Sequence, residues 1–388
     1  MDRRVCTVVV LGCLCGAHCA LDSSASVDDP DDQSTEVLDA GNVFPKVDID
    51  GASTEDIVRE ASADDSALLD VRSSGDHPDS ATGISVTIGN VKPRTDVNGA
   101  IVDAHDGCLK QFGNSFYLYG TAYGTTDGFS TANRYRVYSS TDLMSWQPRG
   151  ELLSGAPAGV YYRPYVIFNR TTRKYVLWYN WYATLWNGQL GVATSDKPEG
   201  PFTIVNDNVK VVNSGPGDEN LFVDDDGSAY LIYTSIDKGH GMSIEKLSSD
   251  YLSSTMTTSG ILAEGVEAPA LFKRGTTYYA LFDALCSFCS GGSGATVRTA
   301  PSPLGPYTSH GDINRSGGQI VVPAQQTFVA EITTASGIAY LWMGDMWGSR
   351  PDGVKGHDLQ YWSAPLAFDG AGMIAPMTKV DGFTLRLP

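Results

Sequence analysis

From residue 105 onward the apolar positions fall in short runs that end in turn residues, and the 3.6-residue period of an amphipathic helix is nearly absent. The first run, Gly107-Cys108-Leu109-Lys110-Gln111-Phe112, breaks at Gly113-Asn114-Ser115 and resumes as Phe116-Tyr117-Leu118-Tyr119-Gly120. The same apolar strand followed by a Tyr-rich strand recurs in Tyr165 to Phe168 with Tyr175 to Tyr179, and in Leu221 to Val223 with Ala229 to Tyr233. It returns in Ala270 to Phe272 with Tyr278 to Phe282, and in Phe328 to Ile332 with Ala339 to Trp342. Outer strands are marked by Ser140-Thr141-Asp142 with Trp146, by Gly200-Pro201-Phe202 and by Gly305-Pro306-Tyr307. Five copies spaced by roughly 50 residues fit the four-strand blade of a β-propeller, so the pattern predicts an all-β, five-bladed β-propeller. A repetitive sandwich or lectin-like barrel is the other fold such a pattern admits.

Acidic residues punctuate the repeats. His105-Asp106-Gly107, Asp218 and Val266-Glu267-Ala268-Pro269 each stand at the start of a predicted inner strand, whereas Asp224-Asp225-Asp226-Gly227 lies between two strands and reads as a hairpin turn. Three carboxylates on repeats of one unit can converge at the axis of a closed ring. Cleavage of a sugar linkage needs an acid, a base and a group that tunes them. Arg163 reads as a binding or orienting cation at the entrance of the second blade, or as a buried salt-bridge partner of Asp218 or Glu267. Trp181, Trp186, Trp347 and Trp362 near blade ends are candidate platforms for a pyranose face, while Trp146 and Trp178 suit the core. His105 is either a core histidine or part of the binding surface. A carbohydrate-binding propeller without turnover is the competing function class, and it has no need of three such carboxylates.

Together these segments resemble glycoside hydrolase family 43, the five-bladed propeller hydrolases. The resemblance rests on Asp106 through Gly113 to Phe116-Tyr117, on Asp218 with Leu221-Phe222 and the following Asp-Asp-Asp-Gly, and on Glu267-Ala268-Pro269. Ala104-His105, Arg163-Pro164 with Lys174-Tyr175-Val176, Gln325 with Thr327-Phe328, and Met343-Gly344-Asp345 with Trp347 and Trp362 are similar to its exo-β-1,3-galactanase-like branch. The resemblance implies inverting chemistry with Asp106 as general base, Asp218 as modulator of the acid's pKa and Glu267 as general acid. In the galactanase-like branch the Asp106 position resembles a Gly and a fifth-blade Gln faces the water. This chain has both Asp106 and Gln325, so either is a candidate for the base. That branch also has a Glu before the Arg-Pro pair where this chain has Tyr162, which leaves arabinan or xylan cleavage as the alternative to galactan. The implied substrate-binding set is His105, Tyr162, Arg163, Trp181 and Trp347.

Composition bounds the remainder. Of 388 residues, 86–388 are assigned to the propeller. Residues 1–20 carry Arg3-Arg4, an apolar stretch from Val5 to Leu14 and small residues beyond it, the plan of a secretory signal peptide. Residues 21–85 hold 17 Asp and Glu against 3 Lys and Arg, which predicts a disordered acidic segment, with Thr54 to Leu69 able to form a transient helix. That segment carries most of the chain's net charge of −18, so the acidity says little about the site. With no basic stripe or phosphate-cradling loop, nucleic acid is excluded as a partner. Neither a cofactor nor a metal is expected; Cys286-x-x-Cys289 lacks the second ligand pair of a zinc site. The expected partner is a polysaccharide or oligosaccharide, and the expected state is a secreted monomer, free of membrane once the signal is removed. Outside the signal only Cys108, Cys286 and Cys289 remain, an odd number, predicting a local or Cys108-linked staple beside the cleft. Asn169-Arg170-Thr171 and Asn314-Arg315-Ser316 are glycosylation sequons.

Overall fold

The computed structural model describes residues 83–388, so the expected signal peptide (1–20) and nearly all of the acidic segment (21–85) lie outside the described residues. The first strand, Ile84–Gly89, begins two residues before the expected start of the propeller.

Five antiparallel sheets follow in chain order, each built from consecutive strands. Their innermost strands are His105–Phe112, Val160–Asn169, Pro216–Val223, Val266–Arg274 and Gln325–Thr334. Each of these strands lies against the next, and the fifth returns against the first, so the ring is closed. This is the expected all-β, five-bladed propeller. Four blades have four strands, while the fifth has three, ending at Leu359–Trp362. Beside it the ribbon of Ile84–Gly89 and Gly382–Leu387 is tied in by Asn90, whose Nδ2 donates to the Trp362 carbonyl at 2.8 Å.

Burial explains which strands the sequence announces. All seven residues of the second strand of the third blade, Ala229–Ser235, are buried because neighbouring blades cover both its faces. Its side chains therefore read as a continuous apolar run rather than an alternation. The outermost strand of the first blade, Gln147–Glu151, is exposed throughout, and only the turn residues around it signal its presence. Between blades the packing is aromatic: Trp146 of the first blade meets Trp362 of the fifth edge to face at 6.1 Å, and Trp178 is fully buried with its indole N–H donated to the Tyr251 carbonyl. Trp362 also has the Arg94 guanidinium 3.8 Å from its ring centroid. It is core, not a sugar platform.

The Asp224 to Gly227 segment is the hairpin turn expected of it, with Gly227 N–H donating to the Asp224 carbonyl. It also ties the third blade to the fourth through Lys273, whose ammonium lies 2.7 Å from Asp224 and 2.8 Å from Asp225. The disulfide is the local one, Cys286–Cys289, and Cys108 is a free, buried thiol. Both sequon asparagines are buried and spend their amides inside the fold, Asn169 on the Ser249 carbonyl and Asn314 on the Val322 carbonyl. In the folded protein neither offers a free acceptor nitrogen for a glycan. Among the described residues no helix is long and apolar enough to cross a membrane.

Candidate active site

The inner strands do not run straight into the ring's mouth. Register shifts interrupt them between His105 and Cys108, Tyr162 and Tyr165, Pro216 and Glu219, Glu267 and Ala270, and Gln326 and Phe328. At three of these bulges a non-glycine residue takes a left-handed backbone: Asp106 with φ 47°, Arg163 with φ 50° and Ala268 with φ 49°. Such a conformation costs about 1 kcal/mol or more per residue, and bulges of this kind re-aim side chains beside functional sites. The glycine after Asp106 has its own cause: a Cβ on Gly107 would lie 1.9 Å from the Tyr119 carbonyl oxygen.

Five bulges at one mouth bring Asp106, Arg163, Asp218, Glu267 and Gln325 into a single cleft. Arg163 is its hub. The guanidinium Nε meets Asp218 Oδ1 at 2.9 Å, its Nη atoms donate to the Gln326 and Thr327 carbonyls, and its main-chain N–H points at Asp106 Oδ1 at 3.4 Å. Asp218 Oδ2 in turn accepts from the Ala268 N–H at 2.9 Å, so one carboxylate joins the second and fourth blades. Arg163 is thus both the salt-bridge partner and a lining residue of the cleft. Burial by itself would lower its pKa, but Asp218 and three further carboxylates hold it above its ordinary value.

The two remaining carboxyls differ in their surroundings. Burial raises Glu267, with the negative charge of Asp218 adding to it, to about 8. Its Oε2 accepts from the Cys286 N–H at 2.9 Å, and its Oε1 lies 3.8 Å from Nδ1 of His240. Asp106 is pushed by burial to about 7, against the opposing pull of Arg163 and of the Tyr123 hydroxyl that donates to its Oδ2. The Asp106 main-chain N–H donates to Asp345 Oδ2 at 2.7 Å. A carboxyl still protonated at neutral pH and another titrating there suit an acid and a base respectively.

Gln325 is held at both ends. Its Oε1 accepts from the Trp347 indole N–H at 2.8 Å, and its Nε2 donates to the Cys286 carbonyl at 2.6 Å. Trp347 and Tyr162 line the cleft together with Phe129, Tyr182, Trp186 and Phe288, making one wall aromatic. The Tyr162 hydroxyl donates to the Gly128 carbonyl at 2.9 Å and is therefore committed to the protein.

Two expected sugar contacts are placed elsewhere. His105 is fully buried behind Trp347, with 5.2 Å between ring centroids, and its Nδ1 meets Asp345 Oδ1 at 3.0 Å. Burial alone would lower its pKa, but Asp345 and Asp103 outweigh that and raise it to about 9. His105 is a charged buttress under the cleft. Trp181 sits one residue before the cleft-lining Tyr182, and alternation along the strand sends it to the opposite face. There it stacks on Tyr161 at 5.9 Å and donates its N–H to the Asp207 carbonyl. We expect Trp181→Ala to lower the unfolding free energy by about 3 to 5 kcal/mol while leaving KM within about twofold. A large rise in KM without loss of stability, by chemical denaturation and initial rates, would return Trp181 to the binding surface.

Sequence reasoning passed over Tyr123, His240, Asp283, Phe288 and Asp345 as site residues. Asp283 faces Glu267 across the hairpin and is raised to about 7 by burial, with the Ser293 hydroxyl bonded to its Oδ2. A like-charged cross-strand pair is unfavourable unless something employs it, but the register must be known before that signal can be read. Asp106, Asp283, Glu267 and His105 all have raised values, so in the folded state each binds a proton more tightly than in the unfolded chain. Their joint contribution to stability is full only below about pH 4, under the ordinary values of 3.8 for the aspartates and 4.5 for the glutamate, and is lost as pH rises through about 7 for Asp106 and Asp283, about 8 for Glu267 and about 9 for His105. Denaturation midpoints should accordingly be higher at pH 5.5 than at pH 8.5. The reverse order would contradict the burial of these groups in a protonated form.

The profile of Glycosyl hydrolases family 43 matches residues 101–342. An exo-β-1,3-galactanase from Phanerochaete chrysosporium, solved with β-1,3-galactotriose, is 26% identical with a TM-score of 0.67, covering 76% of this chain and 67% of its own. A family-43 β-1,3-galactosidase solved with galactodeoxynojirimycin is 25% identical with a TM-score of 0.66, over 76% of this chain and 99% of its own. Among characterised sequences, the arabinoxylan arabinofuranohydrolase of Bacillus subtilis (strain 168) is 26% identical over 236 residues, half of this chain and 44% of that enzyme. The chain thus spans under half the length of that relative.

Proposed function

The chain belongs to glycosyl hydrolase family 43, and from that premise we propose that it removes terminal β-1,3-linked galactosyl units from a galactan by a single inverting displacement. Enzymes of this family act on polysaccharide or oligosaccharide substrates, and this chain is a glycoside hydrolase. What carries the mechanistic reading is the convergence of two buried carboxyls in one cleft with different partners, Glu267 held by the Cys286 N–H beside Asp218 and Asp106 held by the Tyr123 hydroxyl. Glu267 gives its proton to the glycosidic oxygen as the bond to the anomeric carbon breaks. Asp106 takes a proton from water, whose oxygen attacks the opposite face of the sugar. Asp218, fixed by Arg163 and the Ala268 N–H, adds to burial in raising the pKa of Glu267 and so helps hold the acid protonated. Trp347 offers its ring to the sugar, and Gln325 positions water or a hydroxyl from its two anchors.

A galactosyl substrate is favoured by the likeness, over three quarters of the chain, to a β-1,3-galactosidase and an exo-β-1,3-galactanase. An arabinosyl or xylosyl substrate is the second reading. It is favoured by Tyr162 before the Arg-Pro pair and by the sequence relative that acts on arabinoxylan. The leader-like residues 1–20 support secretion, and we read the working form as a monomer. Incubation with β-1,3-galactan, arabinan and xylan, with product sizing and NMR of the first anomer, tests the proposal. Galactose released as the α anomer is expected from β-1,3-galactan. Arabinose or xylose alone would move the substrate to the second reading, and β-galactose appearing first would remove the inverting mechanism.

A further inference from the structure

The segment that follows the fourth-blade strand Thr277–Ala284 closes on itself through the Cys286–Cys289 disulfide, with 5.7 Å between the Cα atoms. Beyond it come Ser290-Gly291-Gly292-Ser293-Gly294, where Gly292 and Gly294 have φ of 77° and 98°. Glycines of this sort leave the chain wide conformational freedom, so the crosslink at 286–289 is one restraint on the loop, beside the Ala284 N–H bond to the Ser293 carbonyl and the Gly292 N–H bond to the Cys289 carbonyl. Both main-chain polar groups of Cys286, the residue that opens the crosslinked ring, are in use. The Cys286 N–H holds Glu267 Oε2 at 2.9 Å, and the Cys286 carbonyl takes the Gln325 Nε2 at 2.6 Å. Within the ring, the Cys289 N–H points at Cys286 Sγ at 3.2 Å. At its tip Phe288 reaches across the cleft, its ring centroid 5.0 Å from Trp347, 5.1 Å from Phe129 and 5.5 Å from Tyr123. The Lys355 ammonium lies 3.6 Å from the same ring. One small loop from the fourth blade therefore touches the carboxyl of the fourth, the amide and indole of the fifth and the aromatic wall of the first.

We infer that the Cys286–Cys289 loop is a positioning element for catalysis: the crosslink fixes the main chain at Cys286, whose N–H aims the Glu267 carboxyl at the glycosidic oxygen and whose carbonyl aims Gln325 at the cleft, while Phe288 braces the loop against the opposite wall. The inference rests on the reading of Glu267 as general acid. Its force is geometric. A displacement on the order of 1 Å at a reacting group costs as much as a hundredfold in rate, and a glycine-rich segment freed from its crosslink permits that much movement.

The double substitution Cys286→Ser with Cys289→Ser keeps the main-chain N–H and carbonyl of residue 286 and removes only the crosslink. A glycosidic bond to another sugar breaks slowly without a well-placed acid, whereas a dinitrophenyl glycoside has a leaving group that departs without one. The expected result is a fall of about tenfold or more in kcat/KM on a galactosyl disaccharide relative to the fall on the dinitrophenyl galactoside. Equal losses on both substrates would mean a general structural role, and no loss on either would mean the crosslink is idle; each overturns the inference. If the double variant does not fold, the wild-type protein treated with a water-soluble phosphine supplies the same comparison. The phosphine becomes its oxide, water providing the oxygen and the two thiol protons, and two new thiols are counted by alkylation. Glu267→Gln is run alongside. Should it show no dependence on leaving group, the acid assignment itself fails; should it show one while the uncrosslinked protein does not, only the loop inference fails.

Discussion

Glu267→Gln is expected to lower kcat/KM on natural linkages by about 10²- to 10⁴-fold, or about 3 to 5.5 kcal/mol in the barrier, while sugar affinity stays close to that of the wild type. The substitution is nearly isosteric. A glutamine oxygen can still accept from the Cys286 N–H that now holds Glu267 Oε2, so the local geometry is kept and the proton alone is lost. In the native protein that proton is retained through neutral pH, because burial and the charge of Asp218 raise the carboxyl to about 8. Activity should therefore decline as pH rises through about 8 and the acid ionises. Initial rates on a β-1,3-galactosyl oligosaccharide, paired with calorimetric binding of galactose, read both halves of the expectation. Wild-type rates in the mutant would take Glu267 out of its role.

The second large effect separates the two candidates for the base. Asp106 must be ionised to accept a proton, and it titrates near 7, so kcat/KM rises with pH through about 7 before falling through about 8. Asp106→Asn should remove most activity, on the order of a hundredfold or more, and the acidic limb should go with it. Gln325→Ala leaves that limb in place. It breaks the anchors to Trp347 and Cys286, and a loss of about tenfold through misplaced water or sugar is expected. An amide accepts a proton from water only as an unusual tautomer, whereas a carboxylate does so directly. If Gln325→Ala proves the severe variant and Asp106→Asn the mild one, with the limb unchanged, the base assignment reverses.

Much of this site was legible before any coordinates. A carboxylate at the start of the apolar inner strand occupies the same place in three of the five repeat units, so Asp106, Asp218 and Glu267 could be picked out by position. The Asp224 to Asp226 run, richer in charge, could be set aside as a turn for the same reason. Harder were residues whose meaning depends on which face of a strand they take. Trp181 and Tyr182 are adjacent and both aromatic, yet only Tyr182 lines the cleft. The alternation does not say which of two opposite faces looks at solvent when both are covered by protein. His105 next to Asp106 presented the same ambiguity, and burial resolved it.

Local information sufficed for the strands, the turns between them, the repeat count and the three carboxylates, because apolar runs, Gly-Asn-Asp turns and spacing of about 50 residues act over short stretches of chain. Closure of the ring was decided only in three dimensions, as was everything that depends on it. Tyr123 donating to Asp106, Asp345 under His105, Asp283 opposite Glu267 and Phe288 against Trp347 are contacts between different blades or across a hairpin. The pKa values follow the same division. A carboxyl's ordinary value belongs to its residue type, but its displacement here comes first from burial, and burial is created when five separate sheets meet around one axis.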